Sequence, residues 1–211
     1  MPIRHTPTGS ALSLVAVGAA LIAASTLWGG YPLGTGVPLT LQTLAILLVG
    51  SVLGAYRGAV AVLVYLALGS AGLPVWSGHG AGLQVWTTPR AGFLISFVVA
   101  AFVTGWIAER MTVSWDTRLA GFLVATTVGA LAVITVLGWA YFGWRASLSF
   151  DDTLSALAPF LPGDILKAVV AAAVASAVHA AYPEILVPSG GGRAPQSDEC
   201  LGVKAGSPGS A

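Results

Sequence analysis

Pro159-Phe160-Leu161-Pro162-Gly163-Asp164-Ile165-Leu166-Lys167 opens the last long apolar segment of the chain, which runs on to about Tyr182. Asp164 and Lys167 are the only acidic or strongly basic residues inside that segment. Three positions apart, they share one face of a helix. A charge at the centre of a bilayer costs roughly 2.5–3.5 kcal/mol even on a lenient insertion scale. Two such charges therefore either neutralise each other at the membrane surface or face the bundle interior as a polar ligand site. The rest of the chain bears on that choice.

The 211 residues are 56% hydrophobic and 8% charged. Soluble domains carry about 25% charged residues. The composition is that of an integral membrane protein, and lipid demands internally satisfied backbone, so the fold class is all-α. A formal net charge of +1 gives no reason to expect a nucleic-acid partner. The one cysteine, Cys200, excludes an internal disulfide, and His5, His79 and His179 have no metal-ligand spacing. No cofactor is expected. Seven tryptophans fall near the ends of apolar runs or between them, as an interfacial belt would require.

Hydropathy divides the chain into six spans, at about 11–28, 40–56, 58–72, 91–108, 119–142 and 159–182. The first is longer than the ~7–15-residue apolar core of a leader peptide and reads as a helix rather than a cleaved signal. Residues 1–10 form a polar tail, 11–182 the membrane domain, and 183–211 a Gly/Ser/Pro-rich tail expected to be disordered. Arg57-Gly58 is expected to turn the chain between the second and third spans. Residues 143–158 read as a polar connection.

With the N-terminus inside, the inner segments hold Arg4, Arg57, Arg110, Arg118, Arg193 and Lys204, and the outer loops hold Arg90 and Arg145. That bias favours an N-in, C-in topology in a cell membrane. It places three unusual stretches on the outer side: the uncharged loop 29–39, the glycine-rich loop 73–90, and the start of the last span. Their convergence favours a ligand site. The loop's Gly78, Gly80 and Gly82 fit no phosphate-binding spacing. A proton-coupled transporter acting alone through Asp164 is the main alternative, although no internal repeat is visible. Catalysis would need a nucleophile with a base, or a metal set, and the spans offer too few groups for an enzyme.

Val37-Pro38-Leu39-Thr40-Leu41-Gln42-Thr43-Leu44 resembles the V-P-x-T-L-Q-T-L stretch of the biotin-specific S components of energy-coupling-factor transporters, the BioY family. Leu53-Gly54-Ala55-Tyr56-Arg57-Gly58-Ala59 and Gly69-Ser70-Ala71-Gly72-Leu73-Pro74-Val75 are similar to its helix 2–3 turn and its G-x-x-G-L-P-V end. Pro162-Gly163-Asp164-Ile165-Leu166-Lys167 resembles its P-G-D-x-x-K signature. The resemblance implies six helices and tight biotin binding at the outer side. It also implies a transmembrane coupling (T) protein and a pair of ABC-type ATPases as partners. This chain has no G-x-x-x-x-G-K-S/T motif, so hydrolysis would be theirs.

By the same resemblance Asp164 and Lys167 belong to the ligand site. The ureido N–H groups of biotin suit Asp164 and its carboxylate suits Lys167. Thr40, Gln42, Gly78, His79, Gly80 and Arg90 complete the candidate set. Two departures stand out. The family's G-P-T/S-x-G-Y loop is Thr88-Pro89-Arg90-Ala91-Gly92-Phe93 here, and positions that are Asn and Arg in some relatives are Gly80 and Leu94. His79 and Arg90 are the nearest substitutes. On the first span Ala16, Ala20 and Ala24 form one row of small residues, and Ala19 and Ala23 a second. The resemblance makes one of these rows the expected docking surface for the coupling protein.

Overall fold

A computed structural model describes residues 8–27, 31–32, 38–111 and 118–182. Both expected tails beyond these bounds, most of loop 29–39, Trp28 and Trp115 lie outside the described residues. The elements run α1 (Thr8–Leu27), β1 (Tyr31–Pro32), β2 (Pro38–Leu39), α2 (Gln42–Leu53), α3 (Ala55–Ser70), α4 (Ala91–Met111), α5 (Arg118–Thr127), α6 (Val136–Ala146), α7 (Phe150–Leu157) and α8 (Leu161–Ala181). A π-helical stretch, Val128–Thr135, joins α5 to α6. The only sheet among the described residues is a two-residue antiparallel pairing of β1 with β2.

Among the described residues, four helical segments are long and apolar enough to cross a membrane: Gly9–Thr26, Ala91–Met111, Arg118–Ala146 and Phe150–Ala181. The expected second and third spans are shorter apolar helices of 12 and 16 residues. At 1.5 Å per residue they reach about 18 and 24 Å, less than the roughly 30 Å of hydrocarbon in a bilayer.

The bundle is closed by small residues and alternation of faces. On α1, Val15, Ala19, Ile22 and Thr26 are buried, an i, i+4, i+7, i+11 stripe, while Leu12, Ala16, Val17, Ala20, Leu21 and Ala24 point outward. On α8 the buried stripe is Asp164, Lys167, Ala168, Ala171, Ala172, Ala175 and His179. Its alanines let α8 lie against α2 and α5. At the far end of α8, the Arg118 guanidinium donates to the His179 carbonyl at 3.0 Å, placing a cation at the negative end of the helix.

Three boundaries differ from the sequence reading. The α2–α3 turn sits at Gly54, not at Arg57-Gly58. Gly54 takes φ 82°, ψ 179°, a region essentially reserved for glycine. The Ala55 N–H that follows is capped at 2.9 Å by the Glu109 carboxylate, so Arg57 falls in the first turn of α3. Glu109 itself still belongs to α4, which runs past the expected end of the fourth span at 108.

The supposed polar connection 143–158 is mostly helix. α6 continues to Ala146, and α7 is capped by Ser149, whose Oγ accepts from the Asp152 N–H at 3.2 Å. Trp76 is not an interfacial belt residue, being only 5% exposed.

Gly54→Ala would place a Cβ in that glycine-only region, and we expect a loss of about 1–3 kcal/mol. Thermal unfolding of the purified protein in detergent measures it, and an unchanged midpoint would mean that the turn relaxes without cost.

Candidate functional site

The site lies where the first turn of α8 meets the starts of α2 and α4 and the loop between α3 and α4. Pro162 in the first turn of α8 needs no backbone donor there, and Asp164 two positions on suits the positive end of the helix. Lys167 follows on the same face. Its Nζ donates to Asp164 Oδ1 at 2.9 Å, and both residues are buried, at 9% and 8% exposure. Ile165, Leu166, Val169 and Val170 on the opposite face are exposed. The helix thus turns its charges inward and its aliphatic residues outward, the inverse of a soluble amphipathic helix.

The glycine-rich loop is fastened rather than loose. Trp76 inserts over Gly69 of α3, where a Cβ would come within 2.5–2.7 Å of three indole atoms. Its ring meets Tyr65 edge-on at 5.5 Å, and its Nε1–H donates to the Gly82 carbonyl at 3.1 Å. The Val75 carbonyl accepts from Tyr65 of α3 at 3.1 Å and from Thr26 of α1 at 2.8 Å, where the one hydroxyl proton is shared with the Ala23 carbonyl at 2.7 Å. At the end of the 3₁₀ turn Leu83–Thr87, the Thr87 carbonyl accepts from Arg145 of α6 at 3.1 Å.

Between loop and helices is a cavity of about 830 Å³, counting its mouth. Its wall is largely aromatic and aliphatic, with Trp76, Phe93, Phe97, Trp139 and Phe160 the largest members. Its polar groups include Thr40, Gln42, Tyr65, Arg90, Asp164 and Lys167. Thr40 Oγ1 accepts from the Gln42 N–H at 3.3 Å, and Gln42 Nε2 donates to Tyr65 Oη at 2.9 Å. One anion, two cations and an amide on an apolar wall can hold a small molecule with separate donor and acid ends.

The candidates of the sequence reading divide. Thr40, Gln42, Arg90, Asp164 and Lys167 converge on the cavity, with Arg90 exposed. Gly78, His79 and Gly80 are not among its lining residues. They form the turn that pairs Trp76 with Gly80, and His79 is exposed at φ 61°. The reading missed Tyr65, Trp76 and the aromatic wall. The two rows on α1 also separate: Ala16, Ala20 and Ala24 face outward, while Ala19 is buried and Ala23 half-buried.

A sequence model described as the BioY family matches residues 4–184. The chain belongs to the BioY family. It is 41% identical over 176 residues to a protein of Rhizobium etli named biotin transporter BioY, covering 82% of this chain and 94% of that one. The protein of the same name from Rhodobacter capsulatus is 40% identical over 189 residues, 85% of this chain and 98% of that one. The fold matches the crystal structure of an S-component for biotin from an ECF-type ABC transporter, with a TM-score of 0.76 and 22% identity, covering 85% of this chain and 95% of that one. This BioY chain is thus an integral membrane protein of a transporter family rather than an enzyme.

Removing one partner of the Asp164–Lys167 pair strands the other. We expect Asp164→Leu to lower stability by up to about 3 kcal/mol, the low end for a buried pair because this one faces a cavity. The double replacement Asp164→Leu with Lys167→Met should regain most of that loss in the same thermal unfolding assay. A single mutant as stable as the native chain would mean that the pair contributes nothing to the fold.

Proposed function

We propose that this BioY chain is the biotin-binding S component of an energy-coupling-factor importer, taking biotin at the outer side. The buried Asp164–Lys167 pair, inward-facing on α8 beside an aromatic cavity, carries the reading. Biotin's fused rings would lie on the apolar wall with a ureido N–H toward Asp164; Lys167, whose Nζ is 2.9 Å from Asp164 Oδ1, serves the carbonyl of that same ureido end, and the carboxylate at the far end of the ligand falls to Arg90, the other cation of the lining. Thr40 and Gln42 supply further polar contacts. Gly78, His79 and Gly80 would reach the ligand only by an inward movement of their turn.

The topology that goes with this function has six spans, N-in and C-in. The excess of basic residues on the inner segments supports it. It requires α2 and α3 to cross as short helices, extended by the flanking chain or met by a thinned bilayer. Release inside would be driven by a transmembrane coupling protein and ABC-type ATPases. The outward row Ala16, Ala20 and Ala24 is the surface of α1 that a partner helix can approach closely.

Purified protein should bind biotin in strong preference to thiamine and riboflavin in isothermal titration. Lys167→Ala should cost a charge-assisted contact worth about 1.5–3 kcal/mol. Equal affinity for the three vitamins, or wild-type affinity in Lys167→Ala, sinks the assignment.

Ala20→Trp should abolish uptake in cells that contain the partners while leaving biotin binding by the purified chain intact. Ala19→Trp, directed into the core, should instead destabilise the fold. Normal import by Ala20→Trp would remove α1 as the docking surface.

A further inference from the structure

A carbonyl oxygen can only accept, and this fixes the direction of a short hydrogen-bond relay that ends at the cavity. The Val75 carbonyl takes the single phenolic proton of Tyr65 at 3.1 Å. Tyr65 Oη must then act as acceptor toward Gln42, 2.9 Å away, and only the Nε2 end of an amide can donate. The orientation of the Gln42 amide therefore follows from the relay. Both residues line the cavity, Gln42 at 6% exposure and Tyr65 fully buried. With Nε2 held by the phenol, Oε1 is the end left for a ligand, and it makes no hydrogen bond to any other described residue.

We propose that Tyr65 is a positioning residue that holds Gln42 as a hydrogen-bond acceptor in the cavity, so that the site selects an N–H donor at that point. The inference rests on the biotin reading, since biotin offers two ureido N–H groups. Asp164 would take one and Gln42 Oε1 the other. Replacing Tyr65 by Phe removes the acceptor that pins Nε2, and the amide can then turn over. The Val75 carbonyl keeps its bond from Thr26 in that variant.

The test uses the full chain in lipid nanodiscs and three probes: biotin and the two cyclic carbamates in which a ring oxygen replaces one or the other ureido N–H. The wild-type protein should prefer biotin over each carbamate by on the order of tenfold, the worth of about one hydrogen bond in a buried site. Tyr65→Phe should collapse the preference over one carbamate to within about threefold and leave the other unchanged. These ratios do not depend on the fraction of protein folded.

A second variant, Gln42→Glu, presents an acceptor at both ends, so adding Tyr65→Phe to it should leave both ratios where they were. A purely structural Tyr65 would instead weaken all three ligands together with both ratios unmoved. That result overturns the inference, as does any ratio shift on adding Tyr65→Phe to Gln42→Glu. Failure of the wild-type chain to bind biotin would overturn the functional reading and this inference with it. Wild-type binding with unmoved ratios in Tyr65→Phe overturns the inference alone.

Discussion

An aspartate and a lysine on one face of an otherwise apolar helix constrain the molecule more than any other feature. Neither can be turned toward lipid without a cost of a few kcal/mol, so α8 has one acceptable rotation about its axis. That rotation sends Ile165, Leu166, Val169 and Val170 outward and brings Ala168, Ala171, Ala172 and Ala175 against the bundle. The same choice puts the 2.9 Å ion pair beside the cavity instead of in the bilayer. Packing and site thus have a common cause. The small residues that let α8 come close lie directly below the charges that must be sheltered.

The cavity owes its shape to a different device. Loop 71–90 is rich in glycine, yet it is fixed at several points. Trp76 supplies most of the hold, because its indole is buried over Gly69 and against Tyr65. A large aromatic group gains area burial and ring geometry together. The loop backbone then finds partners on α1, α3 and α6 through Val75, Gly82 and Thr87. Irregular backbone inside a helical membrane protein needs such partners wherever it is sheltered from water.

Much of this was legible in the sequence, for physical reasons that differ residue by residue. The charge pair stood out because polarity is rare in an apolar span. Thr40 and Gln42 enter through motif resemblance and Arg90 as a substitute where the loop departs from the motif, and all three line the cavity. The α2–α3 turn was misplaced because Arg57-Gly58 looks like a turn by composition. Gly54 wins through a backbone angle and a capping carboxylate from α4, and neither is visible locally. α7 was missed although Ser149 and Asp152 have capping-box spacing, a signal present in the sequence. Tyr65 and Trp76 carried no such mark. Their roles arise from partners 10 to 23 positions away in sequence for Tyr65, and from a glycine that leaves room for the indole of Trp76.

The two faces of α1 join these observations. Its inner face ends at Thr26, which donates to the Val75 carbonyl, the same atom that receives the proton of Tyr65. Its outer face carries Ala16, Ala20 and Ala24, the approachable row. Thr26 and Ala16 are ten residues apart on one continuous helix, about 15 Å along its axis. Thr26 thus ties α1 to the loop over the cavity beside the packing of α1 against α2 and α3, the helices that carry Gln42 and Tyr65. The small-residue row lies on the back of a helix whose inner face touches the loop and both of those helices.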